Sequence, residues 1–193
     1  MKNRLTKVLY LFLSLLLIGA VLVVLTGCGS TRTTTTPADT TVLLTVTKGT
    51  QTKTFTMTEL KALTPVSGYS GTKNKKGEIS GPNPCKGVSL TSILNSVGGL
   101  SAGNSVKFTA KDDYSKTLTY DQISNATFTT YDTTGTAASP EKTPVVFVAY
   151  EFNGQALDEA TGPVQLAIMT CEQQVTDGSN FVKQLTKIDV VTQ

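Results

Sequence analysis

The stretch from residue 85 to residue 98 reads Cys85-Lys86-Gly87-Val88-Ser89-Leu90-Thr91-Ser92-Ile93-Leu94-Asn95-Ser96-Val97-Gly98, and it has the best helical pattern after the apolar N-terminus. Its apolar residues recur at helical spacing, at Leu90, Ile93, Leu94 and Val97. Ser89 can accept a hydrogen bond from the first free amides, and Gly98 can close the last turn. Strand-like sequence flanks the stretch on both sides. We therefore predict a short amphipathic helix packed on a sheet.

The flanking segments alternate apolar and polar residues in the manner of strands. Strands are predicted at 42–47, 51–55, 105–110, 116–120, 126–131, 145–150 and 164–170, and the alternation near the C-terminus, within 181–191, predicts an edge strand. Thr56 and Glu59 have the spacing of a capping box, which predicts a second helix that ends before Pro65. Residues 66–84 are rich in Gly, Ser, Lys and Pro and predict loop or short strands. Together these elements predict an α+β fold of mixed sheets with a few short helices.

The charge of the chain is concentrated at its start. The sequence holds 17 Lys and Arg residues against 14 Asp and Glu residues, for a formal charge of +3. Lys2, Arg4 and Lys7 precede the apolar N-terminal run, and without these three the 14 remaining basic residues balance the 14 acidic ones. Because phosphate binding needs a local excess of Lys and Arg, this balance argues against nucleic acid as a partner.

Two residue types that enzymes rely on are scarce. The sequence has no His, and Arg occurs only at Arg4 and Arg32. His is the side chain most often used for proton transfer near neutral pH and the commonest metal ligand. A His-based catalytic triad and a His-ligated zinc site are therefore excluded. Beyond residue 32 the bidentate grip of Arg on phosphate or carboxylate is missing as well.

Residues 1–27 have the features of a lipoprotein signal peptide. A charged start precedes an almost wholly apolar run at 8–25. The next residues, Leu25-Thr26-Gly27-Cys28, resemble the bacterial lipobox, which implies that Cys28 becomes the lipidated N-terminal residue of the mature protein. The alternative is an uncleaved transmembrane anchor, because about 18 apolar residues can just span a bilayer.

The lipobox also predicts where the protein resides and how the chain is divided. We expect an extracytoplasmic protein that its N-terminal lipid anchors to a bacterial cell membrane, and the sequence leaves open which membrane. Residues 28–41 are rich in Thr and lack apolar periodicity, which predicts a tether. Residues 42–193 are then predicted to form a single folded domain.

Cys85 and Cys171 are the two thiols that remain once Cys28 is lipidated. In an oxidising compartment a pair of cysteines in one domain most often forms a disulfide, so we predict a Cys85–Cys171 bridge. There are two alternatives. In the first, both cysteines are buried free thiols. In the second, Cys85 is a ligand to molybdenum or another metal.

Carboxylate pairs and aromatic residues are the remaining candidates for a site. The pairs at 112–113 and 158–159 lack the spacing of a calcium loop, so we interpret them as solvated turns. Aromatic residues in predicted loops are potential lining residues of a ligand cleft, and they are Tyr69, Tyr114, Tyr131 and Phe152. Core packing is the alternative interpretation of these four.

Four segments resemble the sulfite-oxidase-type molybdopterin-binding domain. They are Phe55-Thr56-Met57-Thr58-Glu59-Leu60-Lys61-Ala62-Leu63, Lys86-Gly87-Val88-Ser89-Leu90-Thr91-Ser92-Ile93-Leu94, Val106-Lys107-Phe108-Thr109-Ala110-Lys111-Asp112-Asp113-Tyr114 and Phe181-Val182-Lys183-Gln184-Leu185-Thr186-Lys187-Ile188-Asp189-Val190. They correspond to a capped helix, a Gly-bounded helix, a hairpin and a terminal strand. Through their order and spacing the resemblance extends from residue 41 to residue 191.

The resemblance implies an α+β fold of mixed sheets with a cofactor cleft. In the family's enzymes it further implies molybdenum bound by two pterin sulfurs and one Cys, which lies well before the Gly-Val-x-Leu helix. At that place this chain has Ser67-Gly68-Tyr69-Ser70, and Cys85 lies directly beside the helix instead. The enzymes also hold the pterin phosphate and the oxyanion substrate with Arg and His, which residues 42–193 lack.

These departures lead to three functional hypotheses. The first is a non-catalytic lipoprotein domain that has lost molybdenum chemistry, needs no cofactor and binds a small molecule or an envelope protein. The second is a molybdopterin-dependent oxidoreductase in which Cys85 ligates molybdenum and Lys residues replace Arg. The third is an adhesion or scaffold domain of the cell envelope, which only the abundance of Thr supports.

Overall fold

The computed structural model describes residues 39–192, and the first and last strands among these residues pair with each other. The predicted signal peptide, the lipidation site Cys28 and the predicted tether up to residue 38 lie outside these residues. Within them, no helix has both the length and the apolarity to cross a bilayer.

The described residues form thirteen strands and three short α-helices. The strands are β1 (Leu44–Lys48), β2 (Gln51–Phe55), β3 (Pro65–Lys73), β4 (Ile79–Ser89), β5 (Asn104–Ala110), β6 (Ser115–Thr119), β7 (Thr130–Asp132), β8 (Ala137–Ala138), β9 (Val145–Phe152), β10 (Gln155–Ala156), β11 (Gln165–Met169), β12 (Gln174–Asp177) and β13 (Leu185–Thr192). The helices are α1 (Met57–Ala62), α2 (Leu90–Leu94) and α3 (Tyr120–Ser124), and two 3-10 turns are Asn95–Val97 and Gly178–Asn180. Mixed sheets with few short helices agree with the predicted α+β class.

Both helices predicted from capping signals are present. The Ser89 hydroxyl accepts a hydrogen bond from the Ser92 amide at the start of α2, and Gly98 closes the following 3-10 turn with a left-handed backbone. At the start of α1, Thr56 and Glu59 form the expected capping box. The Asp39 carboxylate also accepts from the Met57 amide at 3.1 Å. Contact with the domain therefore begins at Asp39, within the residues predicted as tether.

The five-stranded sheet has the order β2-β1-β13-β5-β6. β13 is parallel to β1 and antiparallel to β5, so it lies in the middle of the sheet. The prediction of an edge strand at the C-terminus was therefore wrong. Alternation of Ile188 and Val190 with Lys187 and Asp189 indicates that one face of the strand is solvated, which is equally true of a central strand in any sheet with one open face.

The second sheet has the order β10-β9-β4-β3-β12-β7-β8, and β11 pairs with β9. The central strands of this sheet curl, and β11 meets β3 to close them into a ring. The Thr170 amide, just after β11, donates to the Tyr69 carbonyl of β3 at 2.7 Å. Strands β3, β4, β9 and β11 thus surround a common interior, and we call this unit the small barrel. Residues 66–84, predicted as loop or short strands, supply most of the nine-residue β3 and the first half of the eleven-residue β4.

Glycines explain why the sequence pattern did not predict the two long strands β3 and β4. A Cβ on Gly68 would lie 2.7 Å from the Met169 sulfur, and one on Gly87 would lie 2.2 Å from the Val148 carbonyl oxygen. Contacts this short essentially never occur for real Cβ atoms. Gly87 is therefore required by the backbone beside it, whereas a side chain at residue 68 would have to displace Met169. Glycine at these positions removes the alternating side chains on which strand prediction depends.

Two hydrophobic clusters follow from this architecture. The main core lies between the five-stranded sheet and the outer face of the small barrel, and it includes α2 through Leu90, Ile93 and Leu94. The second cluster fills the interior of the barrel and consists of Cys85, Phe147, Ala149, Ala167 and Met169. The residues of β11 therefore alternate between the two clusters, and Gln165 lies on the interior side with Ala167 and Met169.

Candidate functional site

All four strands of the small barrel contribute to a cleft of about 440 Å³ at one end of the barrel, which we call the barrel-mouth cleft. It is lined by Ser70, Gly71, Thr72, Ser80, Asn83, Phe152, Ala156, Leu157, Asp158, Thr161, Gln165, Gly178, Phe181 and Lys183. Its volume lies within the range of roughly 300–1,000 Å³ that is usual for small-molecule sites. The lining mixes aromatic, amide and hydroxyl groups, as such sites commonly do.

Gln165 is the most buried amide of this cleft. The residue is 7% exposed, and it opens a strand whose other members, Leu166 to Met169, are all buried and apolar. Among residues 39–192, no hydrogen bond is formed by its side-chain amide, which borders the open cleft. Without a protein partner, the polar atoms of this amide take their hydrogen bonds from water or from a ligand in the cleft. Gln165 thus supplies donors and an acceptor to whatever fills the cleft.

Phe152 and Phe181 give the cleft its apolar walls. Phe152 ends β9, pairs with Cys85 in the sheet, and packs on the barrel interior. Phe181 follows the second 3-10 turn and packs against both hydrophobic clusters. Both rings are only half-buried, so each keeps surface available to the cleft. Asn83 on β4 adds a second, half-buried carboxamide to the lining.

Asp158 and Lys183 are the two charged residues of the lining. The Thr161 hydroxyl and amide donate to Asp158 Oδ1, and these bonds, assisted by the nearby Lys183 ammonium, hold the pKa of Asp158 below its ordinary value. The carboxylate is therefore ionised at neutral pH and is balanced by one Lys. The cleft has no net charge and no excess of cations.

A second groove adjoins the barrel-mouth cleft. It has a volume of about 370 Å³ and shares Gly178, Phe181 and Lys183 with the cleft. Its far side is formed by Asp112 and by Tyr114, which is 49% exposed. The cleft and this side groove together form an elongated surface that runs past Phe181.

A further cleft lies at the opposite end of the barrel, where β9 begins at Val145. It is lined by residues from Ser67 to Tyr69, from Glu141 to Thr143 and from Met169 to Gln173, together with Val145. Three of the four aromatic residues singled out in the sequence thus border a cleft: Phe152 the barrel mouth, Tyr114 the side groove and Tyr69 the far end. Tyr131 instead donates a hydrogen bond to Asp177 at 3.0 Å.

The structure does not contain the predicted Cys85–Cys171 disulfide. Both residues are buried free thiols, which was the first alternative. Cys85 lies on β4 opposite Gly68 of β3, whereas Cys171 follows the residue that bridges Tyr69 on the other side of β3. Strand β3 thus separates them, and Cys171 donates instead to Glu141 Oε2 at 3.4 Å.

Cys85 points into the barrel interior. Its thiol is buried among Phe147, Ala149 and Met169, and burial raises its pKa to about 12, although the Gly68 amide donates to the sulfur. None of the three clefts described above includes Cys85. Residues 39–192 also contain no group of three His, Cys, Asp or Glu side chains placed to hold a metal.

The sequence analysis did not identify the main lining residues Gln165, Asn83, Phe181 and Lys183. They come from three separate segments, which only the folded barrel brings together. One signal was available: Gln165 is the single polar residue in an otherwise apolar run from Val164 to Met169. A polar residue at such a place requires an explanation.

Comparison with known proteins finds a likeness to solved structures. No protein-family model and no curated protein sequence matches the chain. Among solved structures, the sulfane dehydrogenase SoxCD from Paracoccus pantotrophus is similar, with a TM-score of 0.55 and 15% sequence identity. The match covers 78% of this chain and 38% of the SoxCD chain, so this protein spans less than half of that structure. The likeness supports a distant relation to the fold that the sequence resemblance implies.

Proposed function

We propose that residues 42–193 form a ligand-binding module without molybdenum chemistry, which the lipid on Cys28 anchors outside the cytoplasm. The observation that carries the proposal is Gln165, a buried residue at the mouth of the barrel whose amide opens to the cleft and has no hydrogen-bond partner among the described residues. A cleft with one unpartnered amide open to it, two aromatic walls and no net charge is suited to binding an organic molecule.

The residues do not fit molybdopterin. Cys85, the candidate molybdenum ligand, lies among the apolar side chains of the barrel interior rather than in the cleft. The pterin phosphate would have only Lys183 as a cation of the cleft, and Lys183 already faces Asp158. We therefore assign no redox step to this site.

The competing function is a molybdopterin-dependent oxidoreductase with Cys85 as the metal ligand. The likeness to a sulfane dehydrogenase favours it, since that protein is named for a redox reaction. This function would require the Cys85 side chain to leave the barrel interior and reach a cleft. At 15% identity the likeness shows a shared fold alone, and the lining of the cleft supports the binding module.

The molybdenum content of the full chain separates these two functions. The protein would be purified from a host that makes the cofactor and exports proteins. We expect a molybdenum-to-protein ratio near zero, by elemental mass spectrometry, while circular dichroism shows a folded protein. A ratio near one that falls in Cys85→Ser but not in the matched Cys171→Ser variant would establish the oxidoreductase instead.

Binding itself is tested by NMR with a chemically diverse set of small molecules. We expect some compounds to shift the signals of Gln165, Phe152 and Phe181, and to leave signals of the exposed part of β2 unchanged. If no compound of any class perturbs the cleft residues, the binding-module proposal is wrong.

The lipid anchor is tested separately. In the wild-type protein, mass spectrometry of the N-terminal peptide should show a diacylglycerol-modified Cys28 and no residues before it. Cys28→Ser should keep residues 1–27 and lose the lipid mass. An unmodified Cys28 in a full-length, membrane-bound wild-type protein would support the transmembrane-anchor alternative.

A further inference from the structure

We infer that the barrel-mouth cleft binds an uncharged saccharide, with N-acetylated amino sugars as the best match. This inference rests on the proposed binding function and names the ligand class for the same cleft. It is drawn from the charge of the lining, its carboxamides, its aromatic walls and the side groove.

The charge of the lining selects against ions. Asp158 and Lys183 are opposite in sign and close enough to influence each other, so neither an anionic nor a cationic ligand gains from a field of one sign. A phosphate, sulfate or carboxylate ligand would be desolvated against a site without Arg or His, which is costly. An uncharged ligand avoids this cost.

The carboxamides select for groups that both donate and accept. Gln165 and Asn83 each present an NH₂ group and a carbonyl oxygen. An acetamido group of an amino sugar presents the complementary N–H and C=O and can therefore form hydrogen bonds with the amide of Gln165. Sugar hydroxyls, as donors, can also reach the ionised Asp158, whose Oδ1 alone is engaged by Thr161.

The walls of the cleft suit the carbon face of a sugar ring. Phe152 and Phe181 expose part of each ring to the cleft, and aromatic faces bind C–H groups through dispersion and burial of apolar area. The rim adds hydroxyl groups from Thr72, Ser80 and Thr161. A ligand with one apolar face and a polar edge matches this arrangement better than a wholly apolar molecule.

The side groove indicates more than one sugar unit. It continues from the cleft past Phe181 and Lys183 to the exposed ring of Tyr114. An oligosaccharide that fills both regions can pack successive rings on Phe181 and Tyr114. We therefore expect affinity to rise from a disaccharide to a tetrasaccharide.

The test is a titration of the full-length protein in detergent with chitobiose and chitotetraose, which are oligomers of N-acetylglucosamine. Binding is measured by isothermal titration calorimetry and located by NMR. We expect saturable binding, tighter for the tetramer, and weaker binding of cellotetraose, which lacks acetamido groups. Gln165→Leu, which keeps the volume of the side chain, should weaken chitotetraose binding about tenfold.

Two further variants keep the test decisive. Gln51→Leu makes the same change on the exposed face of β2, remote from the cleft, and should leave binding unchanged. If Gln165→Leu does not fold, Gln165→Glu retains an acceptor and removes the donors, and it should also weaken binding. Equal affinity of wild type and folded Gln165 variants would overturn the inference.

The outcomes also distinguish this inference from the proposal on which it depends. If charged compounds or uncharged peptides perturb the cleft residues and no saccharide does at millimolar concentration, the saccharide assignment is wrong and the binding module stands. If no compound of any class perturbs the cleft, both are wrong.

Discussion

In the five-stranded sheet one face packs on the main core and the other faces solvent, whereas both faces of the barrel strands β9 and β11 are buried. The open sheet presents Thr and Lys outward, as at Thr117 and Lys107, and large apolar side chains such as Phe108 inward. The small barrel has small residues on its inner face: Gly87 lies close to the backbone of β9, Gly68 lies against the Met169 side chain, and Ala149 and Ala167 belong to the interior cluster.

The difference shows where the fold leaves room for function. In the open sheet, alternating side chains fill one core and leave a regular solvated surface. In the barrel, glycines let four strands approach so closely that the interior holds few side chains, and the strands end around an open mouth. The cleft is therefore a consequence of how the barrel closes. Three variants test how differently the two regions respond to change.

The largest difference is expected between Gly87→Ala in the barrel and Gly49→Ala in the β1–β2 hairpin. A Cβ at residue 87 would meet the backbone of Val148 and Ala149 at 2.2 and 2.8 Å, and backbone cannot move aside cheaply. We expect Gly87→Ala to cost about 3 kcal/mol or more, the upper end for overpacking a core. The measurement is the free energy of unfolding in urea.

Gly49→Ala serves as the matched control. Its Cβ would meet nothing within 4 Å, and only its backbone φ of +56° opposes a side chain. The expected cost is about 1 to 2 kcal/mol, the usual penalty for the left-handed conformation. If Gly87→Ala were no more costly than Gly49→Ala, the close-packed barrel described above would be incorrect.

Local patterns predicted the elements that depend on neighbouring residues. The cap at Ser89, the capping box at Thr56 and the two hairpins β1–β2 and β5–β6 are all encoded within about ten residues, so the sequence revealed them. The buried run at 145–150 likewise became the buried strand β9. These elements establish the α+β class.

The barrel and its cleft depend on contacts between distant residues. Gly68 and Gly87 weaken the strand pattern because they have no side chain, yet they allow β3 and β4 to pack against Met169 and Phe147. The position of β13 depends on its pairing with β1, which is about 140 residues away in the sequence. The alternation of apolar and polar residues within β13 cannot specify such a partner. Gln165 could have been noticed, but its role depends on Phe152 and Phe181 lying around it.

The second variant concerns the thiol in the barrel interior. Burial raises the pKa of Cys85 to about 12, whereas the thiol of an unfolded chain titrates near about 8.5. Below that pH both states are protonated and Cys85 adds no pH dependence. As the pH rises from about 8.5 toward 12, the unfolded state loses a proton that the native state keeps, so stability falls by up to about 1.4 kcal/mol per pH unit.

Urea unfolding between pH 8 and pH 10.5 measures this effect. Cys85→Ala should reduce the alkaline loss of stability relative to wild type. Val88→Ala, which truncates a fully buried side chain of the main core, should lower stability at every pH and keep the wild-type pH dependence. An unchanged pH dependence in Cys85→Ala would mean that the thiol is more accessible than its position indicates, and it would revive the metal-ligand hypothesis.

The smallest difference is expected between two threonines, one in each sheet. Thr176 on β12 is fully buried, and its hydroxyl has no hydrogen-bond partner among the described residues. Thr176→Val replaces this hydroxyl with a methyl group and should stabilise the protein by about 1 kcal/mol, because an unsatisfied buried hydroxyl is costly. Thr117→Val makes the same change on the solvated face of β6 and should alter stability by less than about 0.5 kcal/mol. Urea unfolding of both variants at pH 7 measures the difference. A loss of stability in Thr176→Val would show that its hydroxyl is satisfied by water, and the second sheet would then contain a hydrated site next to its paired strands.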